Sequence, residues 1–368
     1  MRSAWVRLCT AALALVPACG SAHHGLHVDA VVPGTQFATI QAAIDGLPSG
    51  SVVQVLPGRY LEALVLDGKA FTLLGSTNPA APTEIDAPSP NDPAVVTLSN
   101  GASLTAEDLT LSGGQAGVVG LPPVQGTPCS LTGRSLNLIA STRGLSGTFD
   151  RVDLKDGEVA DHLVTGLSFD FVLTLRIEKT RIHGCKGTGV FLDNRLPASA
   201  GSRYLYLLTV EDNDWGGIDV LGGVLPVPIF GCVVKRNRLY GIQLDGAHGS
   251  SITSCTVDES KADAGGLWGD AVLVFSSVGV VVSKTDMTSN AHAAVEVVGC
   301  PGVEAADVTV GTITATFNGF PFVRRDLDGC ATPGTNWFTD GSFNICNGGS
   351  CAIVSDGGAL APLPGHVP

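Results

Sequence analysis

The sequence has 368 residues, a formal net charge of −13 at pH 7, and charged residues at only 15% of its positions. This acidity argues against nucleic acid as a partner, because the chain would repel its phosphates. The 47 glycines and the aromatic content of 6% indicate many turns and short strands, and they argue against a helical bundle. The length suits one large domain or two ordinary ones.

Residues 1–22 are predicted to be the export signal of a bacterial protein. Basic residues flank the start, residues 8–16 are apolar, and this apolar run is too short to cross a bilayer. The sequence Val-Pro-Ala-Cys ending at Cys19 resembles a bacterial lipobox, in which Cys19 would be lipidated and would anchor an outer-membrane lipoprotein. Ordinary cleavage after Ala22, which would give an extracellular protein, is the alternative.

A short amphipathic helix is predicted over residues 39–47. Its apolar residues recur at helical spacing and form one face: Ile40, Ala43, Ile44 and Leu47. Pro48 and Gly50 then end the helix. Short strands come next, interrupted by Pro-Gly at residues 57–58 and by Asp-Gly at residues 67–68. A helix succeeded at once by short strands is typical of the first coil of a parallel β-helix.

The same opening stretch carries a longer pattern: T-I-Q-x-A-I-D-x-x-P-x-G, then V-V-x-V-x-P-G-x-Y-x-E, then L-L-G. Its residues are Thr39, Ile40, Gln41, Ala43, Ile44, Asp45, Pro48, Gly50, Val52, Val53, Pro57, Gly58, Tyr60, Glu62, Leu74 and Gly75. The pattern resembles the start of pectin-lyase-like right-handed β-helix proteins, a group that includes pectinesterases, polysaccharide lyases and polygalacturonases. The resemblance implies the fold and leaves the chemistry open, because the catalytic residues of those families lie in later coils.

From Ala94 onward, a phrase of short strand, turn and second short strand recurs. The second apolar residue of five copies recurs at intervals of 28, 24, 23 and 30 residues, at Ile182, Val210, Val234, Val257 and Met287. This spacing predicts one supersecondary unit per copy, with loops of unequal length. The copies lack the L-x-x-L-x-L phrase of leucine-rich repeats, and a propeller blade would need nearly twice the spacing.

We therefore predict an all-β fold, a right-handed single-stranded parallel β-helix with a short N-terminal capping helix. The β-helix is expected over residues 28–322 as one continuous domain. Residues 323–368 are rich in Cys, Gly and Pro and are expected to form a C-terminal cap and tail.

Two kinds of stacking between coils are expected from the aligned copies. Asn213, Asn237 and Asn290 share one column, with Cys185 and Ser260 filling it in other copies, which predicts an asparagine ladder at a turn where Asn tolerates a left-handed φ. Acidic and basic residues also alternate between coils, which predicts exposed ion pairs. These columns are Glu211, Lys235 and Asp258; Asp212, Arg236 and Glu259; and Asp214 and Arg238.

Eight of the ten cysteines lie beyond the signal, an even number that suits an oxidising compartment. Cys346 and Cys351 are the most plausible disulfide, and Cys300 with Cys330 is a second candidate. Cys232 and Cys255 either bridge or stack as small buried residues.

The resemblance implies one catalytic option, because lyases of this fold use a Lys, Arg or His base, often with Ca²⁺ on the uronate carboxylate. The candidate bases are Lys235, Arg236, Arg238 and His248, although pairing with carboxylates would keep the first three protonated. The candidate Ca²⁺ ligands are Asp212, Asp214, Asp219 and Asp245. The aspartate signatures of polygalacturonases and the catalytic motif of pectinesterases are absent.

Sugar binding requires exposed aromatic faces and polar groups for the hydroxyls. Trp215, Tyr240 and Trp268 fall in turn or loop regions of three consecutive coils, beside the polar residues Asp219, Gln243, Asp245 and Asp270. The leading hypothesis is therefore an exported protein that binds cell-surface or extracellular polysaccharide on this face. The alternatives are a polysaccharide lyase or esterase acting on uronate polymers, and a structural surface protein.

Overall fold

The computed structural model describes residues 26–123, 126–195, 201–223, 225–266, 268–299, 308–326, 338–340, 344–346, 351 and 353–356. Within these residues the chain forms one helix, α1 (Ile40–Gly46), and a succession of short strands. The strands are β1 (Ala30–Val32), β2 (Ser51–Val55), β3 (Gly58–Leu61), β4 (Leu64–Asp67), β5 (Ala70–Leu74), β6 (Thr83–Asp86), β7 (Val96–Ser99), β8 (Ser103–Glu107), β9 (Thr110–Ser112), β10 (Ala116–Gly120), β11 (Cys129–Arg134), β12 (Asn137–Ile139), β13 (Arg143–Lys155), β14 (Glu158–Ala160), β15 (Leu167–Glu178), β16 (Arg181–His183), β17 (Val190–Asp193), β18 (Arg203–Tyr206), β19 (Thr209–Glu211), β20 (Gly216–Leu221), β21 (Pro228–Phe230), β22 (Val233–Lys235), β23 (Tyr240–Asp245), β24 (Ser251–Thr253), β25 (Thr256–Asp258), β26 (Asp270–Phe275), β27 (Val280–Ser283), β28 (Asp286–Thr288), β29 (Ala293–Gly299), β30 (Val308–Gly311), β31 (Thr314–Thr316), β32 (Phe320–Asp326), β33 (Phe338–Asp340), β34 (Ile345–Cys346) and β35 (Ile353–Asp356).

The strands wind into a right-handed parallel β-solenoid of about eleven turns, in which equivalent strands of successive coils pair in parallel. Three stacked faces result. Face 1 contains β1, β2, β5, β8, β11, the second halves of β13 and β15, β18, β21, β24, β27, β30 and β33. Face 2 contains β3, β6, β9, β12, β14, β16, β19, β22, β25, β28, β31 and β34. Face 3 contains β4, β7, β10, the first halves of β13 and β15, β17, β20, β23, β26, β29, β32 and β35.

The interior of the solenoid is filled by apolar side chains stacked from coil to coil. On face 2, the five residues that define the sequence repeat pair with one another in the predicted order, and all are fully buried: Ile182, Val210, Val234, Val257 and Met287. Neighbouring parallel strands lie about 4.8 Å apart, so each side chain packs on the equivalent side chain of the next coil. The predicted register is therefore confirmed.

The asparagine ladder is also confirmed, and it lies at the corner between face 2 and face 3. The side-chain oxygen of Asn237 accepts hydrogen bonds from the backbone N and Nδ2 of Asn213 at 3.1 and 2.8 Å, while Asn237 Nδ2 donates to the carbonyl of Val210. Asn290 makes the equivalent bonds to Asn318, which the sequence alignment did not include. Each buried amide thus satisfies backbone groups that the turn leaves unpaired.

The left-handed residue of this corner lies one position earlier than expected. Asp212, Arg236 and Ser289 have φ values of 56°, and each precedes a ladder asparagine. The expectation that the asparagines themselves adopt this conformation was wrong. The left-handed residue points outward, whereas the asparagine must point inward to reach the backbone of the next coil.

Helix α1 forms at the start of the solenoid, within the range expected from the sequence. The Thr39 side chain accepts a hydrogen bond from the backbone N of Ala42, which satisfies one of the free N–H groups of the first turn. The apolar residues Ile40, Ala43 and Ile44 are buried in the core.

Strand pairing continues beyond residue 322, into the stretch expected to form a C-terminal cap. Strands β33, β34 and β35 pair with β30, β31 and β32, and a disulfide joins Cys346 to Cys351 with a Cα–Cα distance of 5.2 Å. Cys232 and Cys255 are buried free thiols that donate to backbone carbonyls, so they stack and do not bridge.

Three sequence predictions fall on parts of the chain outside the described residues. These are the signal over residues 1–22 with Cys19, the pair Cys300 and Cys330, and the tail after residue 356. Helix α1 is far too short to cross a bilayer. The described residues contain no helix that is long and apolar enough to do so.

Candidate functional site

The polar residues predicted to bind ligand come together on the outer side of face 3. Tyr240 in β23 pairs with Gly216 in β20 and with Asp270 in β26. Gln243 likewise pairs with Asp219 and with Leu273. Three successive strands therefore carry these side chains past one another at strand spacing. Asp245, at the end of β23, is half-buried at the border of this group.

The aromatic residues of this face are not a stacking surface for sugars. Tyr240 is 1% exposed and Trp268 is 2% exposed, and both pack with Leu239, Leu273 and Val298 in an apolar cluster on the outer side of face 3. Trp215 is half-buried and packs against the same cluster. The expectation of exposed rings at Tyr240 and Trp268 was wrong, because both rings are packed inside this apolar cluster.

Tyr240 and Asp219 form the first polar contact of this region. The Tyr240 hydroxyl donates to Asp219 Oδ2 at 3.3 Å, and both side chains are buried. Burial, and after it the charge of Asp219, raises the pKa of Tyr240 well above its ordinary value of 10.0. The phenol therefore remains protonated and is a hydrogen-bond donor at physiological pH.

A second polar contact joins Asp270 to two residues that were not selected from the sequence. His292 Nδ1 lies 2.7 Å from Asp270 Oδ1 and 3.3 Å from Glu296 Oε2. Asp270 Oδ1 also accepts a hydrogen bond from the backbone N of Ala293 at 3.0 Å. Asp270 and Glu296 are fully buried, and His292 is 8% exposed. This group, named here the His292 cluster, places one imidazole between two carboxylates.

The environment changes the protonation of the His292 cluster. Burial, and after it the charge of Glu296, raises the pKa of Asp270 to about 7, although the contact with His292 opposes the change. Burial lowers the pKa of His292, but its hydrogen bonds to Asp270 and Glu296 outweigh burial and raise it to about 10. Without another cation, the imidazole is therefore charged at neutral pH and holds the two carboxyl groups together.

Two buried polar groups on face 3 have no hydrogen-bond partner within the described ranges. They are the side-chain amide of Gln243, at both its oxygen and its nitrogen, and Asp270 Oδ2. A buried polar group without a partner costs about 1–3 kcal/mol. Such groups are therefore uncommon and point to a site with a ligand or a specific function.

The charge pattern of β29 could have revealed this cluster. Glu296 is the one charged residue in the strand sequence Ala-Ala-Val-Glu-Val-Val-Gly, and its register partner in β26 is Leu273. A lone carboxylate at an outward position of an otherwise apolar strand needs a partner. His292 lies immediately before that strand.

The candidate catalytic bases do not converge. Lys235 lies on face 2 and pairs with Glu211 at 3.2 Å. Arg238 is exposed in the turn between face 2 and face 3. His248 is exposed in the turn that leads from face 3 to face 1, where its Nδ1 accepts from the backbone N of Val278. The three side chains therefore lie in three separate regions of the coil.

The candidate Ca²⁺ ligands Asp212 and Asp214 bind basic residues of the protein. Asp212 pairs with Arg236 at 2.6 Å, and Asp214 pairs with Lys186 at 3.0 Å. Because these cations already occupy the carboxylates, the geometry gives no support to Ca²⁺ there. The predicted ion pairs between Glu211 and Lys235 and between Asp212 and Arg236 are confirmed. The predicted partner of Asp214 was wrong, because Lys186 takes the place expected for Arg238.

Glu211 is the centre of this ion-pair group, named here the Glu211 network. Its carboxylate contacts Arg181, Lys235 and Arg236 at 2.8, 3.2 and 2.6 Å. Burial alone would raise the pKa of Glu211, but the hydrogen bonds from Arg181, Lys235 and Arg236 lower it to about 2. The network is structural, since each basic group is held by a carboxylate.

Exposed aromatic rings occur on face 1. Tyr204, Tyr206 and Phe230 are 49%, 37% and 41% exposed. Tyr206 and Phe230 pair across β18 and β21, and their rings stack with centroids 5.4 Å apart and an interplanar angle of 11°. The rings of Tyr204 and Tyr206 also line a groove of about 520 Å³.

Two arginines line the same groove. Arg176 pairs with Tyr204 between adjacent strands, and Arg151 lies on the strand before. Arg151 contacts Asp153 at 3.3 Å and Arg176 contacts Glu178, but both guanidinium groups are more than half exposed. The carboxylates of Asp153 and Glu178 are largely buried, but each guanidinium has five N–H donors and an exposed side that another acceptor can reach. Tyr204, Tyr206, Phe230, Arg151 and Arg176 are named here the aromatic groove.

Known proteins resemble this chain in fold and hardly at all in sequence. No family model matches the chain, and no curated protein matches it. Several solved structures are similar at low identity. A mutant of the periplasmic alginate epimerase AlgG is 9% identical, with a TM-score of 0.46, covering 83% of this chain and 77% of the epimerase. An alginate lyase from Paenibacillus sp. str. FPU-7 is 11% identical, with a TM-score of 0.43, covering 87% of this chain and 96% of the lyase.

The catalytic domain of a mutant α-1,3-glucanase in complex with nigerose is 11% identical, with a TM-score of 0.49, covering 82% of this chain and 63% of the glucanase. The similar structures are pectin-lyase-like parallel β-helix proteins, the group whose opening motif the chain resembles. The parallel β-solenoid fold of this chain rests on its own strand pairing.

Proposed function

We propose that this protein binds polysaccharide along the aromatic groove of face 1. The observation that carries the proposal is a groove lined by the exposed rings of Tyr204 and Tyr206, with the exposed ring of Phe230 stacked on Tyr206. Aromatic rings bind the apolar faces of sugars, and adjacent polar groups bind the hydroxyls. Tyr206 in β18 and Phe230 in β21 lie on two successive coils, so a polymer that runs along the solenoid axis can contact both rings.

The arginines favour an acidic polymer. Arg151 and Arg176 present planar guanidinium groups beside the rings, and a guanidinium binds a carboxylate through two parallel hydrogen bonds. A uronate residue of the polymer would compete with Asp153 and Glu178 for these groups. We therefore expect uronate polymers to bind more tightly than neutral glucans, and this preference to weaken with added salt.

Binding to soluble alginate, polygalacturonate and a neutral glucan tests the proposal. Tyr204→Ala with Tyr206→Ala should weaken binding at least tenfold, whereas Phe317→Ala, which removes a ring that is 79% exposed elsewhere, should not. Arg151→Gln with Arg176→Gln should reduce the uronate preference, and Arg238→Gln is the matched control. Unchanged binding by the double tyrosine variant, or no binding by the unaltered protein, would overturn the proposal.

We also propose that the protein binds without cleaving. The candidate bases Lys235, Arg238 and His248 lie in separate regions of the coil, and Lys235 is held by Glu211. Incubation with the same uronate polymers should give no increase in absorbance from unsaturated products. An increase that disappears in His248→Gln or Arg238→Gln would support the lyase alternative.

Two further roles are proposed for the N-terminal part of the chain. Residues 1–22 would direct export and Cys19 would carry lipid; metabolic labelling with palmitate should mark the protein, and Cys19→Ala should abolish the label. Helix α1 would close the first coil, since Ile40, Ala43 and Ile44 bury their side chains against it. Ile44→Asp should then promote association between molecules, measured by light scattering, because uncovered strand edges pair readily.

A further inference from the structure

The His292 cluster has the atoms of a metal site. Asp270, His292 and Glu296 each offer one ligand atom, and these three atoms lie within 4.8 Å of one another. Ligands about 2.0 Å from a tetrahedral ion lie about 3.3 Å apart. The distance of 3.3 Å between His292 Nδ1 and Glu296 Oε2 matches this spacing. The distance of 2.7 Å to Asp270 Oδ1 needs to open by only about 0.6 Å.

The backbone fixes the positions of the three side chains. Asp270 begins β26, His292 immediately precedes β29, and Glu296 lies within β29. Strands β26 and β29 pair in parallel, and the N–H of Ala293 donates to Asp270 Oδ1. His292 also packs edge-on against Phe320, with centroids 5.6 Å apart. Sites built on paired strands hold their ligands more firmly than sites built on loops.

A second observation points to a ligand at this place. Asp270 is fully buried, and its Oδ2 has no hydrogen-bond partner in the part of the chain that the structure describes. Asp270 pairs with Tyr240, which belongs to the apolar cluster of face 3. A buried carboxylate oxygen without a donor is costly, and a bound cation removes this cost.

The charges of the cluster also suit a divalent ion. Two carboxylates with a protonated imidazole leave one negative charge buried. Two carboxylates with a neutral imidazole and a divalent ion leave none. Burial penalises net charge, so the second arrangement is electrostatically balanced.

We propose that Asp270, His292 and Glu296 bind one divalent first-row transition-metal ion, with Zn²⁺ as the best match to their donor atoms. One imidazole nitrogen with two carboxylate oxygens is a donor set that zinc sites use, whereas Ca²⁺ takes six to eight oxygen ligands. Three protein ligands would leave a fourth position for Asp270 Oδ2 or for a ligand from outside the protein. The site is distinct from the aromatic groove and does not depend on the proposed function.

Zinc binding by the full chain tests the proposal. Protein stripped with a chelator should take up one Zn²⁺ per chain in competition with a chromophoric chelator, and Ca²⁺ should compete poorly. Glu296→Gln, Asp270→Asn and His292→Gln should each weaken Zn²⁺ binding at least a hundredfold. His183→Gln is the matched control, because His183 contacts Glu158 at 2.9 Å on face 2 and the described residues offer no third metal-ligating group there.

A second measurement needs no variant and remains decisive if the variants fail to fold. Co²⁺ added to the stripped protein should give the intense ligand-field bands of a four- or five-coordinate site. It should also quench the fluorescence of Trp268. A Co²⁺ spectrum like that of the ion in water would overturn the proposal. Tighter binding of Ca²⁺ than Zn²⁺, or Zn²⁺ affinity unchanged in all three variants, would also overturn it.

Discussion

The outer surfaces of face 1 and face 3 are both built from stacked parallel strands, yet their aromatic residues differ in exposure. On face 3, Tyr240 and Trp268 are almost completely buried in an apolar cluster, whereas on face 1, Tyr204 and Tyr206 are exposed beside arginines. The difference comes from the turns that adjoin the strands. Face 3 carries a longer turn that folds over it, and the aromatic groove of face 1 remains open.

The turn between β25 and β26 causes the difference on face 3. The copies centred on Val257 and Met287 are 30 residues apart, and the additional residues lie between Asp258 and Asp270. Backbone hydrogen bonds from Lys261 and Gly269 to Asn237 and Leu239 hold this turn on the preceding coil. Trp268 is thereby carried over the strands, so an aromatic residue in a turn becomes part of a covering layer.

The largest difference in stability between the two surfaces is expected when an aromatic ring is removed. Trp268→Ala should lower the free energy of unfolding by about 3–5 kcal/mol, because it leaves a cavity over face 3. Tyr204→Ala should change it by less than about 0.5 kcal/mol, because that ring is exposed. Urea unfolding of both variants measures the contrast. Equal losses in the two variants would mean that the two surfaces bury their rings alike.

A smaller effect is expected from removing one hydroxyl on each surface. Tyr240→Phe should lower the free energy of unfolding by about 1–3 kcal/mol, because the buried Asp219 carboxylate loses a donor. Tyr206→Phe is the matched change on face 1 and should be neutral. The same unfolding experiment applies, and a neutral Tyr240→Phe would show that this contact does not stabilise the fold.

For polysaccharide affinity, unlike stability, substitutions on face 1 should have the larger effect. Tyr206→Ala should weaken binding about tenfold, equivalent to about 1.4 kcal/mol, because its ring and that of Phe230 form one stacked surface. Trp215→Ala, on the border of the face 3 cluster, should leave affinity unchanged. Isothermal titration with a uronate oligomer measures both affinities. A larger loss of affinity in Trp215→Ala than in Tyr206→Ala would indicate that the polysaccharide binds on face 3.

The smallest effect concerns face 2, which serves as a reference for both surfaces. The folded pKa of Glu211 is lowered from 4.5 to about 2, so its contribution to stability is present above about pH 4.5 and is lost as the pH falls toward 2. Glu211→Gln should therefore flatten the acid side of the melting profile. Thermal melts from pH 6 to pH 2 measure the change. An identical pH profile in the variant would show that the Glu211 network contributes nothing.

Much of the fold could be predicted because the solenoid repeats its constraints. The columns through Val234 and Asn237 recur in coil after coil, so one aligned copy predicts the register of the next. The left-handed position was misplaced by one residue, because both residues of the turn tolerate polar side chains. A single corner sequence does not indicate which of them points inward.

The functional surfaces were harder to predict, because burial of an outward side chain depends on distant residues. Trp268 was expected to be exposed, and only the path of the long turn over Tyr240 and Leu273 explains its burial. The aromatic groove has a local signal in the sequence. In the sequence Arg-Tyr-Leu-Tyr of β18, alternation places Arg203 and Leu205 inward and Tyr204 and Tyr206 outward.

Hydrogen exchange of the full chain with and without a saturating uronate polymer tests the central claim most directly. The account predicts new protection of the backbone in β18 and β21, around Tyr204, Tyr206 and Phe230, with no change across β23 and β26. Protection confined to β20, β23 and β26 would place the polysaccharide over face 3 and would contradict the account.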